Sequence, residues 1–465
     1  MTHETFDVII IGAGQGGVPL ATAFAAAGRS TALIERTWPG GTCVNVGCTP
    51  TKTMVASGRV AHLARRGADY GVETGGIGID MEKVRQRKRD IVAQFRSGSQ
   101  KRIDQTDGLD YIEGEARFTG EKTLAVTLND GGRRELTADT IVLDVGERPR
   151  ALDIDNPDGV TLHDSTSIME LDEVPGHLIV IGGGAIGLEF AQLFRRLGAE
   201  VTIVHHGDQL PSRADPDIAG AVLEIMTDDG IAIEFNATPV GVVRAGDGVD
   251  VRLQRENGGE DAIRGTHVLA AVGRVPNTDS LDAGKSGLAL DKRRYIPTSD
   301  RLETNVPGIY AIGDIRPGPK FTHISYDDYR ILKANLIDGG DRTVNDRIVS
   351  SVTYIDPQLG VVGLTEGEAR KQGVPYKLAT MPMRSVARAL ETDETRGLMK
   401  ALVDPESGTV LGAAVLGIEG GEIMSMLQIA MIGGMPYTAL RDGVFAHPTL
   451  AESLNNLFAA LKDPN

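Results

Sequence analysis

An α/β fold built from two nucleotide-binding modules of one design, with a smaller α+β module after them, is what this sequence predicts. Two observations carry the prediction. A strand, a glycine turn, a helix and a second strand occur in that order near the N-terminus and again from His177, and from about Val349 the pattern changes to strands and helices without such a turn. A third observation concerns chemistry: both cysteines of the chain, Cys43 and Cys48, fall in one segment directly after the first module.

In the first module Phe6–Ile11 is a mostly apolar run that enters Gly12-Ala13-Gly14-Gln15-Gly16-Gly17, followed by an alanine-rich helix over Leu20–Ala27 that stops at Gly28. A second strand, Ser30–Ile34, ends in Glu35, an acid at the distance that suits a ribose diol. Glycines at these places permit a tight turn, close approach of a diphosphate and helix–strand packing, so the whole context marks a dinucleotide site. The second module repeats it with Gly182, Gly184 and Gly187, and places Gly198 and His205 at the offsets of Gly28 and Glu35. Two Rossmann-like modules imply two bound dinucleotides.

A length of 465 residues suggests roughly three domains. With 41% apolar residues and 58 glycines, the chain is globular and rich in tight turns. A net charge of −16 argues against nucleic acid or an anionic membrane as partner, and no apolar run approaches the roughly 20 residues of a membrane span. The chain passes from Thr5 straight into a strand, which leaves no room for a signal peptide, so a cytoplasmic location is expected. A thiol pair there is catalytic more often than structural.

The segment Gly40-Gly41-Thr42-Cys43-Val44-Asn45-Val46-Gly47-Cys48-Thr49-Pro50-Thr51-Lys52 invites a redox reading. On a regular helix residues five apart have Cα atoms about 8 to 9 Å apart, whereas a disulfide tolerates at most about 7 Å, so pairing requires a bend, and Gly47 is placed to allow it. Thr49 and Pro50 predict a helix start, where unpaired N–H groups favour a thiolate at Cys48. Two buried thiols or half of a metal site are the alternatives; two cysteines alone complete no zinc shell, and no resident metal is expected.

Further along, Met54–Asp104 predicts helix interrupted by the glycines between Gly71 and Gly78, and Gly114–Leu143 alternates as short antiparallel strands. The chain crosses to the second module around Pro157–Gly159 and returns after Gly273-Arg274-Val275-Pro276-Asn277. The expected domains are 1–150 with 281–348, then 151–280, then 349–465.

The C-x4-C segment with its flank, the G-R-x-P-N segment, Tyr310-Ala311-Ile312-Gly313-Asp314, and His447-Pro448-Thr449-Leu450-Ala451-Glu452 together resemble the group I pyridine-nucleotide disulfide oxidoreductases, which include glutathione reductase, dihydrolipoamide dehydrogenase and mercuric reductase. Tyr354–Thr365 is similar to the opening of that family's dimerisation domain, so the resemblance spans essentially the whole chain. Asp144-Val145-Gly146-Glu147-Arg148-Pro149 stands where the family has A-T-G-S-x-P and departs from it at Asp144, Val145 and Glu147.

The resemblance implies FAD in the first module, held by Gly12, Gly14, Gly17, Glu35, Gly41, Thr42, Lys52, Gly146 and Asp314, with Asp314 on the ribityl chain. It implies NADPH or NADH in the second, held by Gly182, Gly184, Gly187, His205, His206, Gly273 and Arg274. Lys52 and Glu189 would form an ion pair beside the flavin. Cys43 and Cys48 would form the redox disulfide, with Cys48 as the thiolate against the flavin and Cys43 facing the substrate. His447, oriented by Glu452, would be the acid–base for the dithiol of the other subunit, which makes a homodimer with a shared active site the expected assembly. A flavin-bound sensor without turnover would not need Lys52, Glu189, His447 and Glu452 together.

No cysteine follows Cys48, whereas mercuric reductase carries a second pair near its C-terminus. Phe321–Arg330 and Arg441–Thr449 are similar to the reactive-chlorine-resistance flavoproteins, a mercuric-reductase-like branch associated with copper(II) reduction, and copper(II) is accordingly the expected acceptor. Mercury(II), glutathione disulfide and lipoamide are the alternatives. Met424, Met426, Met431 and Met435 lie in or just after an apolar helix, Ile423–Ile432, where packing explains them better than metal binding. With His205 at the ribose position and Arg213 nearby, NADPH is expected to serve at least as well as NADH.

Overall fold

The computed structural model describes residues 3–256 and 258–463. Its contacts divide the chain into two units, one of residues 1–53, 83–150 and 273–347, the other of residues 54–82, 151–272 and 348–465.

In the first unit the strand His3–Ile11 pairs in parallel with Thr31–Glu35 on one side and Arg133–Leu143 on the other. Leu109–Gly120 pairs in parallel with Thr31–Glu35 and antiparallel with Thr123–Leu128, which pairs antiparallel with Arg133–Leu143, and Ile309–Ala311 closes the sheet in parallel with Arg133–Leu143. Parallel central strands are covered on both faces, which is why Val8, Ile9, Ile10 and Ile11 form an unbroken apolar run and are all buried. Alternate residues serve opposite cores. Ile9 and Ile11 pack with Phe118 and Leu124, while Val8 and Ile10 pack with Leu20 and Phe24 of the helix Gly17–Ala26. The helix over Met81–Asp104 and the strands from Leu109 to Leu143 fall where the sequence pattern put them. The two chain crossings also meet, since Glu147–Pro149 pairs antiparallel with Arg274–Pro276.

Among the described residues the second unit holds three sheets. The parallel one runs in the order Ala232–Glu234, Glu200–Val204, His177–Ile181, His267–Ala270, Leu162–His163, with the helix Ala185–Leu197 following the glycine turn. A three-stranded antiparallel meander, Ala237–Ala245 to Glu260–Gly265, stands beside it. The C-terminal module is a five-stranded antiparallel sheet packed on the helix Gly420–Ile432. Met424 lies inside that module's core with Met426 and Met431 against it, as packing predicts, whereas Met435 is exposed beyond the helix. Arg196 of the nucleotide-module helix is buried in ion pairs with Asp229 and Asp356, and Arg396 joins Asp229 at 2.8 Å. Removing one partner from such a buried network would strand a charge, so it pins the nucleotide sheet to the C-terminal sheet.

Candidate functional site: the dithiol segment and two nucleotide turns

The dithiol segment consists of two helical pieces with a break between them. Gly41–Asn45 forms a short helix, Val46 and Gly47 leave helical geometry, and a long helix runs from Cys48 to Arg65. Cys48 is thus the first helical residue, one position earlier than Thr49. Gly47 is required by crowding rather than by a left-handed backbone: a Cβ there would stand 2.8 Å from Thr42 O. The fold-back brings the two cysteines together, with the Cys43 thiol hydrogen-bonded to Cys48. That bond, reinforced by burial, pushes the Cys43 thiol far above the ordinary range, while Thr322 and the Lys52 charge pull it down less strongly. Cys48 is exposed, with its Sγ 3.5 Å from Thr322 Oγ1.

Asn45, between the cysteines, holds the bend. Its Nδ2 donates to Pro39 O at 3.1 Å and Gly41 O at 2.9 Å, and its Oδ1 accepts from Arg96 Nε at 2.7 Å. Arg96 in turn lies 4.3 Å over the Trp38 ring. Neither Arg96 nor Trp38 carries a sequence signal for this role, because the contact joins positions far apart in the chain. A cavity of about 390 Å³ borders the segment, lined by Gly14, Gln15, Gly40 and Val44 with Phe95 and Tyr326.

The two glycine turns match in detail. In the first, Gly12 has φ +105° and the Ala13 N–H donates to Glu35 Oε2 at 2.9 Å. In the second, Gly182 has φ +109° and the Gly183 N–H donates to His205 Nδ1 at 3.4 Å. Such φ values suit only glycine. His205 is turned inward and 5% exposed; burial, with His206 adding to it, lowers its pKa and keeps it neutral. Its Nε2 is buried without a hydrogen-bond partner, while His206 is exposed.

Around Asp314 the structure gathers a cluster that sequence reading did not foresee. Glu147, one of the departures from the family pattern, is buried; it accepts from Tyr295 OH at 2.5 Å and faces Arg274 Nε at 3.5 Å and Lys320 Nζ at 3.7 Å. Lys320 also donates to Asp314 O at 2.6 Å and sits 3.9 Å over the Tyr295 ring. Burial, then the Glu147 charge, raises the Asp314 carboxyl to about 6, with Lys320 and Arg274 opposing. Arg274, expected at the nicotinamide, is engaged here: its Nη2 donates to Glu147 O at 2.7 Å. Thr42 Oγ1 reaches the same carbonyl at 3.5 Å, and Gly146 has φ +62° beside it.

In the second unit His447 is exposed, and its Nδ1 lies 2.8 Å from Glu452 Oε2, so the H-P-x-x-x-E spacing does produce an oriented imidazole. Glu189 is buried on the helix Ala185–Leu197, where its Oε1 accepts the Tyr354 N–H at 2.8 Å. Lys52 lies one turn after Cys48 on the dithiol helix and belongs to the first unit.

The first module suits a flavin dinucleotide. A Cβ on Gly14 would come within 2.5 Å of Asp144, and one on Gly41 within 2.9 Å of Gly14, so the close packing of the turn against its neighbours requires glycine at both. The pyridine nucleotide-disulphide oxidoreductase model matches residues 6–328, and its dimerisation domain matches residues 349–458. The chain belongs to the pyridine nucleotide-disulphide oxidoreductase family. It is therefore an FAD-dependent enzyme that uses a pyridine nucleotide.

This reductase is 35% identical over 463 residues to RclA of Escherichia coli K12, covering 98% of this chain and 99% of that protein. It is 34% identical to a mercuric reductase of Bacillus cereus, covering 97% of this chain and 70% of the relative, and 33% identical to a dihydrolipoyl dehydrogenase of Vibrio cholerae, covering 96% and 94%. Among solved structures, a Cu(II) complex of the HOCl-induced flavoprotein disulfide reductase RclA from Escherichia coli aligns with a TM-score of 0.88 at 33% identity, covering 98% of this chain and 99% of that one. The dimerisation domain of this reductase indicates a homodimer, and its C-terminal module exposes Ile429, Ile432 and Val444. Among the described residues no helix is long and apolar enough to cross a membrane, and no group of three or more His, Cys, Asp or Glu could hold a metal ion.

Proposed function

We propose that this reductase carries electrons from NADPH or NADH through FAD to the Cys43–Cys48 disulfide and from the dithiol to copper(II). The observation that carries the reading is the dithiol segment: the only two thiols of the chain, in one bent segment, with Cys48 at a helix start. The copper-bound relative adds support, as does the absence of any cysteine after Cys48 that could pass a thiol-bound metal onward.

In this reading Gly12, Gly14, Gly17, Glu35, Gly41, Thr42, Lys52, Gly146 and Asp314 hold FAD, and Gly182, Gly184, Gly187, His205, His206, Gly273 and Arg274 serve the nicotinamide dinucleotide. When bound, FAD supplies the two-electron link between nicotinamide and disulfide. Lys52 and Glu189 form an ion pair beside the reacting centre. The helix start and the Lys52 charge favour a thiolate at Cys48, while Cys43 keeps its proton until His447 removes it. Glu452 occupies Nδ1 of His447, which leaves Nε2 to act on the dithiol of a second copy, so the homodimer shares its active sites. The balance is one NADPH and two copper(II) ions giving NADP⁺, one proton and two copper(I) ions; the dithiol loses two electrons and two protons as its S–S bond re-forms. The domains follow as 1–150 with 281–348 for FAD, 151–280 for the nicotinamide, and 349–465 for the interface, in a protein that works in the cytoplasm. A neutral His205 in place of an acid leaves nothing there to repel a 2′-phosphate, which supports use of NADPH at least as well as NADH.

The test is NADPH-dependent copper(I) formation, read with a copper(I)-specific chelator on FAD-loaded protein beside mercury(II), lipoamide and glutathione disulfide. Copper turnover that requires both cysteines is the expected result. Fast mercury(II) turnover without copper activity would make the chain a mercuric reductase lacking the tail pair, and fast lipoamide or glutathione reduction would make it a small-disulfide reductase.

A further inference from the structure

The two nucleotide turns share one backbone and differ in one buried side chain. Asp144 follows the strand Arg133–Leu143, and its N–H donates to Ile11 O at 2.7 Å; Ala271 follows His267–Ala270, and its N–H donates to Ile181 O at 2.8 Å. A Cβ on Gly12 would overlap Asp144 O, and one on Gly182 would press on Ala271 O. A Cβ on Gly17 would stand 3.0 Å from Asp144 Oδ2, and one on Gly187 3.5 Å from the Ala271 Cβ. Asp144 and Ala271 are thus equivalent places, and the second module shows that the turn folds with a methyl group there.

The Asp144 carboxyl fills a hollow between three glycines. Its Oδ2 accepts the Gly17 N–H at 2.8 Å; a Cβ on Gly14 would stand 2.5 Å from the same oxygen, and one on Gly313 3.0 Å from Oδ1. It therefore touches both the glycine turn and the loop that presents Asp314. Asp144 is 8% exposed, and the hydrogen bond that holds its carboxyl is the one Oδ2 accepts from the Gly17 N–H. The charges that act on it most strongly are those of Asp314, Asp328 and Glu35, all acids, and Asp328 is itself paired with Arg316 at 3.0 Å and Arg347 at 2.7 Å.

We propose that Asp144 is a ligand of the FAD diphosphate, a carboxylic acid that bridges the glycine turn and the Gly313 loop and donates its one O–H to a phosphate oxygen. The proposal rests on the reading that the first module holds FAD. Burial, with the three acids adding to it, holds the carboxyl protonated well above the usual range despite the Gly17 N–H. A neutral acid is the only form of this side chain that attracts a diphosphate; ionised, it would set a charge against two more. FAD binding is therefore linked to one proton, and affinity falls as pH rises through the titration of Asp144.

The experiment measures FAD dissociation constants by flavin fluorescence from about pH 6 to about pH 10 for the wild type, Asp144→Asn and Asp144→Ala, with the melting of each apoprotein as a control for folding. Wild-type affinity should weaken about tenfold or more across the range. Asp144→Asn, whose amide donates at every pH, should stay within a few-fold of the acidic wild type and lose the pH dependence. Asp144→Ala should be weak and flat throughout. An alanine variant that binds FAD as tightly as wild type, or an asparagine variant with the wild-type pH profile, would overturn the proposal. If the wild type itself bound no FAD, the reading of the first module would fall instead, which keeps the two failures apart.

Discussion

In the first nucleotide module the glycine turn is closed by two carboxyl groups, Glu35 and Asp144; in the second the same two places hold His205 and Ala271. The turns themselves are alike, with φ +105° at Gly12 and +109° at Gly182 and the same strand-to-turn hydrogen bonds. Steric exclusion of Cβ sets the backbone, and the two variable side chains set what the turn can hold. The dithiol segment follows the first module alone, so only one of the two similar scaffolds carries the thiol chemistry.

The comparison breaks most visibly at the cysteines. Cys43→Ser and Cys48→Ser should each lower copper(II) reduction by roughly 10³-fold or more while leaving single-turnover bleaching of the flavin by NADPH intact. Cys43→Ser should also show a long-wavelength absorbance without reductant, which Cys48→Ser should lack. If instead Cys48→Ser showed the band, the roles of the two thiols would be exchanged.

The next effect tests the C-terminal module. Removing the imidazole in His447→Ala should cost about 10²- to 10³-fold in turnover with little change in FAD content. Glu452→Gln, which weakens orientation without removing the base, should cost less, about tenfold. Equal losses in both would mean that Glu452 does more than orient.

Glu35 and His205 provide a reciprocal pair. Glu35→Ala should weaken FAD retention about tenfold and spare the KM for NADPH, whereas His205→Glu should leave FAD in place and move the kcat/KM ratio about tenfold toward NADH. The crossed outcome, with FAD lost in His205→Glu, would reverse the assignment of the modules.

A last effect, on stability, concerns Asp314 in the apoprotein. Its folded value near 6 lies above the ordinary 3.8, so its contribution is complete below about pH 3.8 and is lost as the pH rises through about 6. Asp314→Asn should therefore stabilise the apoprotein at pH 7 by about 3 kcal/mol and far less at pH 4, as read from urea unfolding at both values. A gain of equal size at both would point to packing instead of charge.

Local signals explain why so much was legible. A glycine turn needs its glycines within a few residues of one another, and an imidazole and its carboxylate five residues apart, His447 and Glu452, are joined by a short stretch of chain. Side-chain direction is a different matter, because it depends on packing: His205 stood at the ribose position, and its ring turns under its own glycine turn. The contact of Arg274 with Glu147 depends on tertiary structure in the same way, since it is decided by the pairing of two distant crossings.

By itself the sequence determined the doubled module, the bend at Gly47, the helix start at Cys48 and the oriented histidine, because each follows from backbone sterics or short-range geometry. Only the tertiary structure decided which buried acids are neighbours. Asp144 and Glu147 appeared in the sequence merely as departures from a pattern. Their surroundings, Gly14, Gly17 and Gly313 for one and Tyr295, Arg274 and Lys320 for the other, come from segments more than a hundred residues away. Burial and the field of neighbouring charges fix a carboxyl's protonation, and both are properties of the folded chain.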